Sequence, residues 1–233
     1  MGGPPPGRVR KGNETMERRR FAASLAIAAL LGAGLAGGPA VQAQGTAGAA
    51  PTAPDALVKS LSEDVLASIR KDPTLQSGDI GRLNALVDEK ILPHVNFEKM
   101  TRLAVGRAWR DATTEQRQTL TREFRALLVR TYAGAVSTAK DYQVRMQPFR
   151  AEPAETDVTV RTQAVPARGE PIQLDYRLEK TGAGWKIYDV NVLGIWLVEN
   201  YRNTFAGEVS RGGIDGLIKS LSERNRALEA RSS

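Results

Sequence analysis

Side chains that commonly carry catalysis are scarce in this chain. The sequence has no cysteine and a single histidine, His94, which excludes thiol nucleophiles, disulfides and multi-histidine metal sites. His94 follows a proline at a predicted helix end, and no nucleophile-elbow sequence accompanies it. No glycine-rich stretch has the spacing of a phosphate-binding loop. The sequence therefore predicts no catalytic residue, no metal and no cofactor.

Asp189 is the one carboxylate in an unusual position, because it lies within a predicted strand between Tyr188 and Val190. A buried charge without a partner is costly, so a cation is expected beside it. We predict a structural ion pair with Arg202 in the following helix. The alternative is an enzyme in which Asp189 and Tyr188 act as an acid–base pair in an apolar pocket.

The charge of the chain is concentrated at its beginning. The whole sequence has 33 Lys and Arg against 26 Asp and Glu, whereas residues 44–233 have 27 against 24. Nucleic-acid binding needs a basic surface on the folded part. We therefore expect no nucleic-acid partner.

The first 43 residues predict a signal peptide. A run of three arginines at 18–20 precedes an apolar stretch over 21–36, and small residues precede a cleavage position after Ala43. The apolar stretch is shorter than the roughly 20 residues that span a bilayer. Export and cleavage near Ala43 are expected, with Met16 as an alternative start and a retained membrane anchor as the alternative outcome.

Hydrophobic periodicity divides the rest of the chain. Residues 44–54 are rich in Gly, Ala and Pro and predict a flexible linker, followed by a single domain over 55–233. A period of 3.6 predicts helices over about 55–70, 79–91, 97–103, 113–140, 195–209 and 214–228. A period of 2 predicts strands over about 142–146, 158–162, 172–178 and 185–193. Asn96 and the pair Thr113 and Gln116 are predicted caps.

This order of elements predicts an α+β fold, in which an antiparallel sheet of about four strands is covered by the N-terminal and C-terminal helices. The strand at 185–193 breaks strict alternation, which indicates a central or a bulged strand that is covered on both faces. All 12 aromatic residues that follow residue 43 lie between Phe97 and Phe205. They fit either a solid core or a cleft for an apolar ligand.

Residues 185–205 carry a family resemblance. They read Trp-Lys-Ile-Tyr-Asp-Val-Asn-Val-Leu-Gly-Ile-Trp-Leu-Val-Glu-Asn-Tyr-Arg-Asn-Thr-Phe and resemble the signature of the MlaC family, also called toluene-tolerance auxiliary components of ABC transporters. Other similar segments are Pro93 to Phe97, Gly106 to Arg110, Glu115 to Arg117, Phe124 to Leu128 and Thr131-Tyr132. The similarity spans nearly all of residues 57–222. Trp196 departs from the family, which commonly has a serine there.

The resemblance implies a periplasmic phospholipid carrier with a curved sheet of the nuclear transport factor 2-like kind. It implies three partners: phospholipid as cargo, an inner-membrane ABC transporter complex with a substrate-binding hexamer, and an outer-membrane lipoprotein complex. Exposed Arg107, Arg110, Arg117 and Arg122 are candidate contacts for these partners or for anionic headgroups, or else form a solvated helix face. A periplasmic interaction module without a pocket is the remaining alternative.

A carrier must shield acyl chains almost completely. Each methylene moved into water costs about 0.8 kcal/mol, so a chain of roughly 15 methylenes costs on the order of 12 kcal/mol. Ile195, Trp196 and Leu197 are expected near the mouth or floor of the cavity. Its predicted wall consists of Phe97, Met100, Leu103, Leu127, Leu128, Tyr132, Val144, Met146, Val160, Leu174, Tyr176, Val190 and Val192.

Overall fold

Residues 52–232 are described by the computed structural model, apart from the side chains of residues 135–137 and 232. The predicted signal peptide and most of the predicted linker lie outside this range. Helices come first, then strands, then a final helix, which confirms the predicted α+β class. No helix within the described range is long and apolar enough to cross a membrane.

Five helices of the described chain precede the sheet: α1 (Pro54–Lys71), α2 (Pro73–Gln76), α3 (Ile80–Leu86), α4 (Phe97–Val105) and α5 (Thr114–Ala139). The helix predicted over 79–91 is α-helical only as far as the end of α3. It continues as a π turn over Val87–Ile91 and a 3-10 turn over Leu92–His94, because Pro93 has no N–H to continue the α-helical hydrogen bonds. The predicted caps are confirmed. Asn96 accepts from the backbone N–H of Lys99, and Thr113 and Gln116 form a capping box.

The sheet is an antiparallel meander in chain order. Its strands are β1 (Tyr142–Met146), β2 (Asp157–Pro166), β3 (Ile172–Thr181), β4 (Gly184–Val192) and β5 (Ile195–Trp196). The prediction of about four strands missed β5, whose two residues were expected to open a helix. Gly194, at φ 85°, reverses the chain so that Ile195 pairs with Val192.

The predicted bulge is confirmed in β4. Arg177 pairs with Asp189 and Leu178 pairs with Ile187, which leaves Tyr188 as the extra residue. The bulge changes which side chains share a face. Ile187 and Val190 therefore lie on the same face of the sheet, and Asp189 lies on the other.

The last helix, α6, runs from Leu197 to Ser232 and is kinked at Gly213, where φ is 64°. The predicted break at Gly212-Gly213 is thus confirmed as a kink, because glycine adopts positive φ without strain. The predicted start at Ile195 is wrong by two residues, since Ile195 and Trp196 belong to β5.

The buried apolar residues form two clusters. The sheet-side cluster joins α1, α3 and part of α5 to one face of the sheet, and its members include Val58, Val65, Ile69, Leu83, Val129, Ala133, Val160, Leu174, Tyr176, Val190 and Val192. The helix-side cluster joins α4, α5 and α6, and its members include Met100, Trp109, Leu120, Phe124, Leu127, Leu128, Tyr188, Leu197, Tyr201, Phe205 and Leu217.

Candidate functional site

One face of the sheet is apolar across three adjacent strands. Val160 of β2 is opposite Tyr176 of β3, which is opposite Val190 of β4. These side chains are at most 1% exposed. Alternation along each strand places them on the side that α1 covers. The result is an extended surface without charge that faces the helices.

The side chains predicted to line a lipid cavity are divided between the two clusters. Seven pack in or against the sheet-side cluster: Val144, Met146, Val160, Leu174, Tyr176, Val190 and Val192. Seven pack in or against the helix-side cluster: Phe97, Met100, Leu103, Leu127, Leu128, Tyr132 and Leu197. Helix α5 serves both clusters, since Val129 and Ala133 pack on the sheet side and Leu128 packs on the other. Contact of each residue with lipid stays a prediction.

Ile195 and Trp196 belong to neither cluster. Ile195 is 46% exposed. The Trp196 ring is half-buried, and the guanidinium carbon of Arg177 lies 3.8 Å from its centroid. The indole that departs from the family pattern therefore stacks on a cation on the face of the sheet opposite Val190.

Asp189 is buried and has three donors. Its Oδ1 accepts from the backbone N–H of Val190 at 2.9 Å and of Val198 at 3.0 Å. Its Oδ2 lies 3.4 Å from Nη1 of Arg177. Val198 is in the first turn of α6, so the carboxylate also caps that helix. Burial raises the pKa of Asp189 to about 6, although these donors and Arg177 oppose the shift.

The predicted ion pair of Asp189 with Arg202 is therefore wrong in its partner. Arg202 is exposed, and its guanidinium lies beside Gly106. Arg177 is directly opposite Asp189 in the antiparallel ladder. Cross-strand neighbours lie within side-chain reach, so the strand residue rather than the helix residue supplies the charge.

The polar atoms of Tyr188 and Asp189, the pair named in the enzyme alternative, have separate partners. The Tyr188 hydroxyl donates to Oδ1 of Asp157 at 2.8 Å, and Nζ of Lys99 lies 3.5 Å from the Tyr188 ring centroid. Lys99 also pairs with Glu179 at 2.7 Å. Burial, then the Asp157 carboxylate, raises the pKa of Tyr188. This network, which sequence analysis missed, ties α4 to the sheet.

His94 is half-buried, and burial, then Lys186, lowers its pKa. Within residues 52–232, no three His, Asp or Glu side chains are grouped so as to hold a metal ion.

Two hydroxyls are buried in the sheet-side cluster without a well-formed hydrogen bond. They belong to Tyr176 of β3 and Ser62 of α1, each 0% exposed. The Thr162 hydroxyl is close by and donates to the Leu174 carbonyl at 3.0 Å. Burial raises the pKa of Tyr176. The Ser62 and Thr162 hydroxyls lie beside that of Tyr176 and oppose the shift. A buried hydroxyl that is left without a partner costs about 1–3 kcal/mol.

An open groove of about 660 Å³ lies between α5 and the segment from α3 to α4. Leu92, Phe97 and Ala126 contribute its apolar lining, and Arg117 and Arg122 are among its cations. Arg117 donates to the carbonyls of Trp109 and Arg110, each at 3.1 Å, so this predicted docking residue also holds the start of α5 in place. Arg107, Arg110 and Arg122 are exposed.

Comparison with known proteins gives consistent matches. Residues 59–223 match the family model described as MlaC protein. A relative in Haemophilus influenzae, named intermembrane phospholipid transport system binding protein MlaC, is 23% identical over 75% of this chain and 83% of its own length. The toluene tolerance protein ttg2D of Pseudomonas putida is 28% identical over 46% of this chain and 49% of its own length.

A solved structure is also similar. It is the phospholipid-binding protein from Ralstonia solanacearum in complex with a phospholipid. That protein is 46% identical, the match covers 77% of this chain and 99% of the solved chain, and the TM-score is 0.73. The fold described above is therefore one that holds a phospholipid in a relative.

Proposed function

The chain belongs to the MlaC family, and on this premise we propose that it is a phospholipid carrier that buries acyl tails between the sheet and the helices. The observation that carries the proposal is the 46% identity to a Ralstonia solanacearum protein solved with a phospholipid, over 99% of that protein. The uncharged sheet face of Val160, Tyr176 and Val190 supports it, because hydrocarbon needs a dry wall and no directional contact. Two tails of roughly 15 methylenes each would lose on the order of 24 kcal/mol in water, so partial cover is insufficient.

The binding proposal is tested by uptake of a labelled phospholipid. Val144 is half-buried on the apolar face of the edge strand β1, and its neighbour Gln143 is exposed on the opposite face. Val144→Phe adds bulk where tails are proposed, so it is expected to lower the lipid bound per protein after incubation with vesicles. Gln143→Phe makes the same addition on the other face and is expected to bind normally. Equal uptake by both folded variants contradicts this placement of the tails.

We further propose that the protein works in the periplasm and moves lipid between two membrane complexes. One is an inner-membrane ABC transporter complex with a substrate-binding hexamer, and the other is an outer-membrane lipoprotein complex. The name of the Haemophilus influenzae relative, which places that protein in an intermembrane phospholipid transport system, supports this. Lipid transfer between the two purified complexes should require the protein, and transfer at the same rate without it contradicts the proposal.

Export is tested separately. N-terminal sequencing of the exported protein is expected to start at Gln44, after cleavage at Ala43. An intact N-terminus on the exported protein contradicts the cleavage prediction.

A further inference from the structure

Two large apolar side chains of the described chain are exposed, and they are close neighbours. Leu193 is 43% exposed and Ile195 is 46% exposed. They flank Gly194, with Leu193 in the turn that follows β4 and Ile195 at the start of β5. We call Leu193–Ile195 the β4–β5 tip. Single exposed apolar residues are ordinary on a protein surface, whereas here two aliphatic side chains lie next to one glycine.

The β4–β5 tip has a fixed and unusual backbone. Leu193 has φ 51°, and it is the one residue other than glycine with positive φ in the part of the chain that the structure describes. A bulky side chain rarely adopts this conformation, so its surroundings must impose it. The turn presents Leu193 outward instead of folding it into the sheet-side cluster.

Two backbone N–H groups of the β4–β5 tip, those of Leu193 and Gly194, donate to acceptors within the protein. The N–H of Leu193 donates to the Gln173 carbonyl at 3.2 Å, and that of Gly194 donates to Oδ1 of Asn191 at 2.8 Å. A surface that enters hydrocarbon must keep its polar backbone groups paired, since that phase offers no partners. A turn that recognises a peptide backbone would instead offer free donors.

Behind the tip lies a tryptophan with a cation. Trp196 directly follows Ile195, and the guanidinium carbon of Arg177 is 3.8 Å from its ring centroid. Tryptophan collects at membrane–water interfaces because its ring is apolar and its N–H is polar. Arginine beside it can meet lipid phosphates. From Leu193 and Ile195 to Trp196 and Arg177, the side chains change from aliphatic to aromatic and cationic. A bilayer changes in the same order, from acyl tails to headgroups.

We propose that the β4–β5 tip enters the interfacial region of a phospholipid bilayer, with Trp196 and Arg177 at the level of the headgroups. Two half-exposed aliphatic side chains form a small anchor, so the contact is brief and reversible. This inference goes beyond carriage of a phospholipid, because it assigns a surface outside the buried interior and a partner, the membrane itself.

The absence of cysteine gives a direct test. A single cysteine is introduced as Ile195→Cys and labelled with the environment-sensitive dye NBD. The matched control is Ala183→Cys. Ala183 is exposed in the turn at the other end of β4, about 30 Å from the β4–β5 tip at 3.3 Å per residue. With protein-free vesicles of phosphatidylethanolamine and phosphatidylglycerol, emission from position 195 should shift to shorter wavelength and be quenched by doxyl-labelled lipids. Emission from position 183 should not change.

Co-sedimentation with the same vesicles separates membrane contact from uptake of lipid into the protein. The double variant Leu193→Asn with Ile195→Ser keeps a residue that tolerates positive φ while it removes the apolar surface. It is expected to bind vesicles about tenfold more weakly than the unaltered protein. Two results overturn the proposal: equal vesicle binding by the double variant, or a response at position 195 only when membrane proteins are present, which would indicate a protein docking site.

The carrier proposal and this inference can fail independently. A protein that holds phospholipid but gives no signal at position 195 contradicts only the membrane contact. A protein that inserts at position 195 but never takes up phospholipid contradicts only the carrier function.

Discussion

Replacing Asp189 by asparagine should change how stability depends on pH. The substitution keeps an oxygen that can accept from the N–H groups of Val190 and Val198, and it removes the titrating charge opposite Arg177. Burial raises the pKa of Asp189 from 3.8 to about 6 in the folded protein. The folded state therefore holds a proton that the unfolded state has lost between these two values.

The sign and size of the pH effect on stability follow from this difference in the pKa of Asp189. Because the pKa of Asp189 is higher in the folded than in the unfolded protein, its protonation stabilises the folded state. This contribution to the free energy of unfolding is complete below about pH 4 and is lost as pH rises through about 6. A shift of about two units corresponds to about 3 kcal/mol. Relative to Asp189→Asn, the unaltered protein should thus gain about 3 kcal/mol in its free energy of unfolding between pH 8 and pH 4.

Urea unfolding of both proteins over this pH range measures the effect, since the titrations of other groups are common to both proteins and cancel. A double-mutant cycle at pH 8 identifies the ion-pair partner. Arg177→Gln should couple to Asp189→Asn by about 1 kcal/mol, whereas Arg202→Gln should couple by less than about 0.5 kcal/mol.

Three results would contradict these expectations. A stability difference that does not vary with pH would mean that Asp189 has an ordinary pKa. A loss rather than a gain in the stability of the unaltered protein, relative to Asp189→Asn, between pH 8 and pH 4 would mean that Arg177 and the two N–H groups outweigh burial. Stronger coupling to Arg202 than to Arg177 would contradict the observed ion pair.

Three further substitutions test single features of the fold by urea unfolding. Tyr176→Phe removes a buried hydroxyl without a well-formed hydrogen bond, so stability should be unchanged or raised by about 1 kcal/mol, and a clear loss would mean that the hydroxyl is paired. Gly213→Ala places a side chain at φ 64° and should cost about 1–2 kcal/mol; no cost would mean that the kink is not fixed. Asn96→Ala removes the cap on Lys99 N–H and a 2.7 Å bond to Glu179, so it should cost about 1–2 kcal/mol, and a neutral result would show that α4 is held by packing alone.

Local patterns predicted much of the fold. The capping box at Thr113 and Gln116, the cap at Asn96 and the kink near Gly213 each depend on residues a few positions apart. The bulge at Tyr188 was also readable, because it interrupts the alternation of a single strand. These features need no knowledge of which elements pack together.

Features that depend on pairing between distant segments were not predictable in this way. Arg177 rather than Arg202 meets Asp189 because the register of β3 and β4 places it there. The division of the apolar residues depends on how α5 is rotated, since Val129 and Leu128 are adjacent in sequence but belong to different clusters. A hydrophobic pattern identifies a buried face and does not say what covers it.

The most direct test of the carrier account is native mass spectrometry of the protein purified from the periplasm without detergent. A carrier should give a species heavier than the polypeptide by the mass of one phospholipid, which solvent extraction should release and identify as a phospholipid with two acyl chains. A spectrum with only the bare polypeptide, from protein that remains folded, would contradict the carrier proposal and favour an interaction module whose interior is solid.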